Sequence, residues 1–215
     1  MPMTNSPFTR RRALLAAAAG AGVAVAPWAA SPALAATPRV YIDPGHGGTD
    51  SGATGNGLQE KTVTLNIALQ VRNMLASYPV LVRMSRTTDI TRSLTYRSDD
   101  ANAWGATIFI AIHINAGGGT GFESFRYPGV GATTQRLHSL MHSNVIAGMR
   151  TVSAVTDRGQ KTADFHVLRE TAMPAVLTEN LFIDTVSNAN LLKNASFLTA
   201  TARGHTNGIL RFLGL

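Results

Sequence analysis

The strongest constraint on the fold is an alternation between short apolar runs and longer amphipathic stretches through residues 39–215. The runs are rich in β-branched residues and nearly uninterrupted, as in strands that are buried on both faces of a sheet. We predict a further strand over residues 121–127. Four runs have the buried-strand character: 40–42, 80–82, 108–112 and 175–178.

The stretches between these runs have the periodicity of helices. In residues 62–76, Val63, Ile67 and Val71 recur at helical spacing. Alternating strands and helices form α/β domains, in which helices cover both faces of the sheet. We therefore predict one three-layer α/β/α domain with a mixed, mostly parallel sheet of about six strands. Further helices are predicted over 93–104, 131–149 and 195–213.

Residues 1–35 differ from the rest of the chain. A basic segment with Arg10, Arg11 and Arg12 precedes an apolar, alanine-rich stretch over 14–26, which is too short to span a bilayer comfortably. The small-x-small triplet 33–35 follows, so residues 1–35 are predicted to be a twin-arginine-like signal peptide cleaved after Ala35. A retained membrane anchor is the alternative. The arginines favour the Tat route and leave the Sec route open.

The chain has no cysteine, and this restricts its chemistry. An exported protein of this kind depends on its core rather than on disulfides, and any metal must be bound by His, Asp or Glu. The formal net charge of +7 falls to +4 without the three arginines of residues 1–35, which contain no acid. This excess favours anionic wall polymers or membrane surfaces, or serves solubility alone. The scattered basic residues do not indicate nucleic-acid binding.

Four polar side chains stand at the ends of predicted strands or beside them. His46 lies in the glycine-rich segment 43–48, directly after the first strand, and Glu60 follows 14 residues later beyond a turn-rich segment. His113 and Glu179 each follow directly on an apolar strand. Ligands of open α/β sheets bind at the carboxyl ends of the strands, so we expect these four side chains to converge.

Two histidines and one glutamate leave an open position on zinc, as catalytic zinc sites do. We predict that His46, Glu60 and His113 bind the metal and that Glu179 acts as general base on the attacking water. Singly, each has an ordinary explanation: strand-end histidines are often structural, Glu60 suits a helix start, and Glu179 suits an arginine partner. Their joint placement favours a metal hydrolase.

The other histidines give weaker signals. His138 and His142 are four residues apart on a predicted helix, but no H-E-x-x-H glutamate lies between them. We interpret them as a packing or solvated face. His166 is a candidate lining residue of the substrate groove, and His205 is predicted to lie on the surface.

The sequence resembles the N-acetylmuramoyl-L-alanine amidases of the family known as amidase type 3, over about residues 39–213. Two departures are mild: Phe125 stands where tyrosine is common, and residues 180–182 replace a small residue and glycine before phenylalanine. The segments that carry the resemblance occur in one order: 42–48, 50–53, 57–61, 93–94 with Arg97 and 101–102, 108–116, 121–123, 167–169 and 174–179.

The resemblance implies zinc, a peptidoglycan substrate, and cleavage of the amide between N-acetylmuramic acid and L-alanine. It also implies that His46, Glu60 and His113 are the zinc ligands and that Glu179 is catalytic, so residues 36–215 form a zinc amidase catalytic domain. We expect an exported monomer, periplasmic or associated with the cell wall, without a membrane span after processing. Some family members carry an inserted helix that blocks the site. The 126–134 connection is too short for one, which predicts an open site.

Two other functions remain open. A zinc exopeptidase of the carboxypeptidase type needs a group that binds a terminal carboxylate, and Arg169 is a candidate for it. The other alternative is a non-catalytic wall-binding protein on a degenerate amidase scaffold. Such a protein is expected to have lost at least one of the four site residues. All four site residues are present in this chain.

Overall fold

The computed structural model describes residues 36–215, so the predicted signal peptide lies outside the described residues. Among the described residues, none of the helices combines the length and the apolar character that crossing a membrane requires. The elements follow in the order β1 (Arg39–Pro44), β2 (Thr54–Gly55), β3 (Leu58–Gln59), α1 (Glu60–Leu75), β4 (Leu81–Met84), α2 (Leu94–Trp104), β5 (Ile108–Asn115), β6 (Phe122–Arg126), α3 (Ala132–Arg150), β7 (Asp157–Thr162), α4 (His166–Arg169), β8 (Ala175–Phe182), α5 (Val186–Leu192) and α6 (Ala195–Leu213).

The main sheet has six strands in the order β4-β1-β5-β8-β6-β7. β1 pairs in parallel with β4 and β5, and β5 pairs in parallel with β8. β6 is antiparallel to β8 and parallel to β7. The predicted mixed, mostly parallel sheet of about six strands is therefore confirmed, and β2 and β3 form a separate two-stranded hairpin.

Helices cover both faces of the sheet, as predicted. Side chains alternate along each strand, so Ile42 and Ile110 join the core cluster beneath α1, α3 and α6. Tyr41 and Phe109 join the smaller cluster on the other face, which includes residues of α2 and α4. Burial on both faces explains why the central strands read as continuous apolar runs.

The end of β8 contains a conformation that the sequence pattern does not indicate. Leu181 has a φ of 73°, in the left-handed region that glycine adopts without strain. This residue stands where the resemblance leads one to expect glycine, and its side chain is buried. The pairing of β5 with β8 shifts register at this point. The strain is therefore offset by apolar burial at an irregularity of the sheet.

His205 is buried, so the prediction that it lies on the surface was wrong. α6 packs against both α1 and α3, and the side of α6 that carries His205 faces the sheet. The imidazole Nδ1 lies 2.9 Å from the Thr201 carbonyl oxygen, and Nε2 lies 3.0 Å from Thr178 Oγ1. Burial lowers the pKa of His205 to about 4.

We expect His205 to make the protein less stable as the pH falls from about 6.5 to about 4. In this window the unfolded chain binds a proton at this position while the folded chain does not, so the free energy of unfolding falls with pH. Over the whole window the free energy of unfolding falls by about 3 kcal/mol. Urea unfolding at pH 7 and pH 4 measures the loss. His205→Gln should lose less stability than wild type over this window; an equal loss would contradict the assignment.

Candidate metal centre

The loop that follows β1 places His46 at the carboxyl edge of the sheet. His46 has a φ of 61°, which is strained for a residue other than glycine. The loop is fixed by backbone hydrogen bonds from Gly45 N to the Ile112 carbonyl at 3.0 Å and from Gly47 N to the Asp50 carbonyl at 2.8 Å. These contacts hold the ring of His46 over the end of the sheet.

Two buried arginines donate hydrogen bonds to the backbone of the same loop. The Arg97 guanidinium donates to the His46 carbonyl at 2.8 Å and pairs with the buried Asp43 carboxylate. The Arg86 guanidinium donates to the Gly45 carbonyl at 2.9 Å. Their charges are satisfied by carbonyl and carboxylate oxygens, so removing either would leave buried acceptors unpaired. Arg97 was noted only as part of the resemblance, and the role of Arg86 was not predicted.

Glu60 joins the two histidines of the predicted site. Its Oε2 lies 3.1 Å from His46 Nε2, and its Oε1 lies 3.0 Å from His113 Nδ1. The carboxylate also accepts from Ala53 N at 2.8 Å and from Ile114 N at 2.9 Å. Burial raises the pKa of Glu60, but the hydrogen bonds with His113 and His46 outweigh it and lower the pKa well below its ordinary range. Glu60 is therefore an anion between two imidazoles.

The three predicted ligands form a compact donor set. One ligand atom of each of His46, Glu60 and His113 lies within 4.8 Å of the others. Asp50 Oδ2 lies 2.9 Å from His46 Nδ1 and fixes the orientation of the ring, as carboxylates behind metal-binding histidines do. Two imidazole nitrogens and one carboxylate oxygen suit zinc. Asp50 was not predicted as a functional residue, because acidic residues are common in turns without a function.

Two glycines let the ligands approach the backbone. A Cβ atom at Gly45 would lie 2.3 Å from Cε1 of His113. A Cβ atom at Gly52 would lie 2.5 Å from Cδ2 of His46 and 2.6 Å from Oε2 of Glu60. Real Cβ atoms do not tolerate such distances. The donor set is therefore packed against backbone that lacks side chains.

Glu179 faces this donor set from the neighbouring strand. It stands opposite His113 in the register of β5 and β8. Its Oε2 atom is buried and has no hydrogen-bond partner among the described residues. Burial raises the pKa of Glu179 well above its ordinary value, and the negative charges of Glu60 and Glu123 raise it further. Such a carboxyl group accepts and releases a proton more readily near neutral pH than an exposed glutamate.

A cleft of about 470 Å³ opens onto these groups and is lined by His46, His113 and Glu179. His166 also lines it, as the sequence suggested, and Phe165 forms part of its wall. β6 and α3 are joined by residues 127–131, and among the described residues no helix occupies that connection. The structure thus brings the four predicted site residues together beside one open cleft.

The remaining candidates lie elsewhere. His138 and His142 are buried on the side of α3 that faces the sheet, each 2.8 Å from Ser124 Oγ, so they form a packing face rather than a solvated one. Arg169 forms ion pairs with Asp164 and Glu170 and lines a different cleft. Arg169 is therefore not placed to bind a substrate terminus beside the donor set.

Comparison with known proteins identifies relatives of this chain. The sequence model of the N-acetylmuramoyl-L-alanine amidase family matches residues 40–211. A sporulation-specific N-acetylmuramoyl-L-alanine amidase of Bacillus subtilis is 58% identical over 173 residues, which cover 80% of this chain and 66% of that protein. The amidase CwlM of Bacillus licheniformis is 54% identical over 82% of this chain and 69% of its own length. The chain thus spans about two thirds of the length of these relatives.

Solved structures give the same result. The catalytic domain of CwlV, an N-acetylmuramoyl-L-alanine amidase of Bacillus (Paenibacillus) polymyxa, superposes with a TM-score of 0.78 at 32% identity over 83% of this chain and 99% of that one. An N-acetylmuramoyl-L-alanine amidase of Clostridium difficile superposes with a TM-score of 0.79 at 32% identity, covering 83% of this chain and 97% of that one. By sequence and by fold, the chain belongs to the N-acetylmuramoyl-L-alanine amidase family of hydrolases.

Proposed function

We propose that this chain is a zinc-dependent amidase that hydrolyses the bond between N-acetylmuramic acid and L-alanine in peptidoglycan. The observation that carries the proposal is the meeting of His46, Glu60 and His113 in one donor set, with Glu179 facing it across the strand pair. Family membership supports the substrate, since the named relatives are N-acetylmuramoyl-L-alanine amidases.

The residues divide the chemistry between binding and proton transfer. His46, Glu60 and His113 would hold zinc, which supplies a Lewis acid for the scissile carbonyl and makes water nucleophilic near neutral pH. Glu179 takes the proton from the attacking water and delivers it to the nitrogen of L-alanine as the carbon–nitrogen bond breaks. Its raised pKa suits both steps, because a weakly acidic carboxyl group holds a proton long enough to pass it on.

The cellular setting forms part of the same proposal. A signal peptide over residues 1–35, cleaved after Ala35, would deliver the catalytic domain 36–215 outside the cytoplasm. There the enzyme would act as a monomer on the wall, without a membrane span. Peptidoglycan as substrate supports this setting, because it lies outside the cytoplasmic membrane.

Zinc content tests the donor set directly. We expect wild-type protein to contain one zinc per chain and His113→Ala to retain little, because two remaining ligands bind zinc far more weakly than three. Inductively coupled plasma mass spectrometry after dialysis measures the content. His166→Ala is a matched control, since His166 lines the cleft outside the donor set. Equal zinc in wild type and His113→Ala would refute the site.

Substrate comparison separates the amidase from the zinc exopeptidase. Intact muropeptides, which retain the muramoyl–L-alanine amide, should be cleaved, whereas free stem peptides should not. An exopeptidase would instead release a terminal amino acid from the free peptides. The placement of Arg169 away from the donor set favours the amidase.

A further inference from the structure

The face of the sheet that carries Glu179 continues past β8 onto β6 and the edge strand β7. Glu123 on β6 stands directly opposite Glu179 in the antiparallel register of β6 and β8. Directly opposite residues have Cβ atoms about 5 Å apart and point to the same face. Glu123 is therefore a second carboxylate beside the catalytic carboxyl group, one strand further from the donor set.

Glu123 differs from Glu179 because its charge is fully paired. It is buried, and its Oε2 accepts from Arg158 Nε at 2.7 Å and Lys161 Nζ at 2.5 Å, while Oε1 accepts from Asn115 at 2.8 Å. Burial raises the pKa of Glu123, but the hydrogen bonds from Lys161 and Arg158 outweigh it and lower the pKa below its ordinary value. Glu123 is thus an anchor for two cations.

Glu123 neutralises only one of the two positive charges on Arg158 and Lys161. Two cations share one carboxylate, and the neighbouring Asp157 instead contacts His142, on the other face of the sheet. The side chains of Arg158 and Lys161 are 34% and 39% exposed, so both can also meet a ligand. The pair carries a net positive charge, is partly exposed and is held in place by Glu123. Such a pair is suited to binding a carboxylate.

Aromatic rings connect this pair to the catalytic cleft. Lys161 Nζ lies 5.9 Å from the centroid of the Phe125 ring, and the Phe125 and Phe165 ring centroids are 5.3 Å apart. Phe165 in turn lines the cleft with His46 and Glu179. Arg158 lies over the ring of Phe182, at 4.9 Å from its centroid. The aromatic wall therefore runs from the catalytic carboxyl group to the two cations.

We propose that Arg158 and Lys161 form a subsite for a carboxylate of the stem peptide, namely the free α-carboxylate on its second residue, a γ-linked D-glutamate. This inference rests on the proposed function. Two strand spacings of about 4.8 Å separate β8 from β7. Two residues of extended peptide span about 7 Å, and the reach of Arg and Lys side chains covers the remainder. An L-alanine nitrogen at Glu179 would therefore bring the next carboxylate to the cations.

Two muropeptides that differ only at the second residue test the subsite. One carries D-glutamate with its free α-carboxylate, and the other carries D-isoglutamine, whose α-carboxamide is neutral. We expect wild-type kcat/KM to be about 10-fold higher for the carboxylate, because a charge-assisted hydrogen bond is lost with the amide. Arg158→Gln and Lys161→Gln should each lower kcat/KM for the carboxylate substrate alone. Lys161→Arg should keep the preference.

Arg203→Gln is the matched control, because Arg203 is an exposed arginine on α6, on the opposite side of the sheet. It should change neither rate. Equal loss on both substrates in Arg158→Gln and Lys161→Gln would show that the cations only support Glu123, and it would overturn the subsite. Equal wild-type rates on the two substrates would overturn it as well. If wild type cleaves neither muropeptide, the proposed function itself fails.

Discussion

Glu179→Gln is expected to lose nearly all hydrolysis of muropeptides while it binds zinc as tightly as wild type. The amide keeps the size and shape of the side chain but cannot take a proton from water. Loss of a positioned general base lowers the rate by about 100- to 10,000-fold. Turnover of a muropeptide by chromatography, together with zinc titration, measures both effects. Glu179 lies outside the donor set formed by His46, Glu60 and His113, so metal binding should survive.

Glu170→Gln is a matched control for this variant. Glu170 is an exposed glutamate at the end of α4, whose carboxylate pairs with Arg169. It should retain wild-type turnover, because loss of an exposed ion pair changes stability by about 1 kcal/mol or less. If Glu179→Gln keeps turnover within about 10-fold of wild type, another group is the base. If it loses zinc, Glu179 is a ligand rather than the base.

Gly45→Ala should weaken zinc binding on the order of 100-fold, although residue 45 bears no ligand. The new methyl group would lie 2.3 Å from the His113 ring, and the ring can relieve this contact only by leaving its position. Gly45 is also tied to Ile112 through its backbone N–H, so the loop cannot move away easily. Competition with a chromophoric chelator measures the zinc affinity, and turnover should fall with it.

Gly131→Ala is the control for a glycine-to-alanine change. No atom lies within 4 Å of a Cβ placed at Gly131, which precedes α3 and has a negative φ. Its zinc affinity and turnover should equal those of wild type, with a stability change of about 1 kcal/mol or less. Wild-type zinc affinity in Gly45→Ala would mean that His113 does not contribute to the metal site in the position described.

The central strands and the candidate site could be anticipated for the same physical reason, whereas the order of the strands could not. Central strands of a parallel sheet are buried on both faces, so β1, β5 and β8 read as apolar runs, and the polar residue after each run marks the carboxyl edge. His46, His113 and Glu179 were found in this way. Glu60 needed the additional observation of a turn-rich segment that folds back, and the structure places it between both histidines.

β7 was not predicted because, unlike the other edge strand β4, its sequence contains no apolar run. Its residues from Asp157 to Thr162 are polar on both faces. On one face Gln160 accepts a hydrogen bond from Ser139 of α3, and on the other face Arg158 pairs with Glu123. Polar and charged residues are common on edge strands, where they hinder pairing with other chains. The position of β7 beside β6 is set by tertiary pairing, which no local pattern encodes. The proposed carboxylate subsite was invisible for the same reason.

His205 and Asp50 show two other limits of local patterns. His205 was predicted to lie on the surface of the last helix, yet α6 is packed between α1, α3 and the sheet, and small residues of α6 permit close approach. Asp50 lies in a turn where acidic residues are common without function. Only the hydrogen bond to His46 Nδ1 reveals that Asp50 orients the imidazole of His46.

Mass spectrometry of digested peptidoglycan, with and without a zinc chelator, tests the central claim most directly. We predict release of intact stem peptides that begin with L-alanine, together with glycan strands that carry unsubstituted lactyl groups. We also predict that the chelator abolishes this release and that added zinc restores it. Release of single amino acids from the peptide ends, cleavage within the glycan, or release of stem peptides that persists in chelator would contradict the central claim.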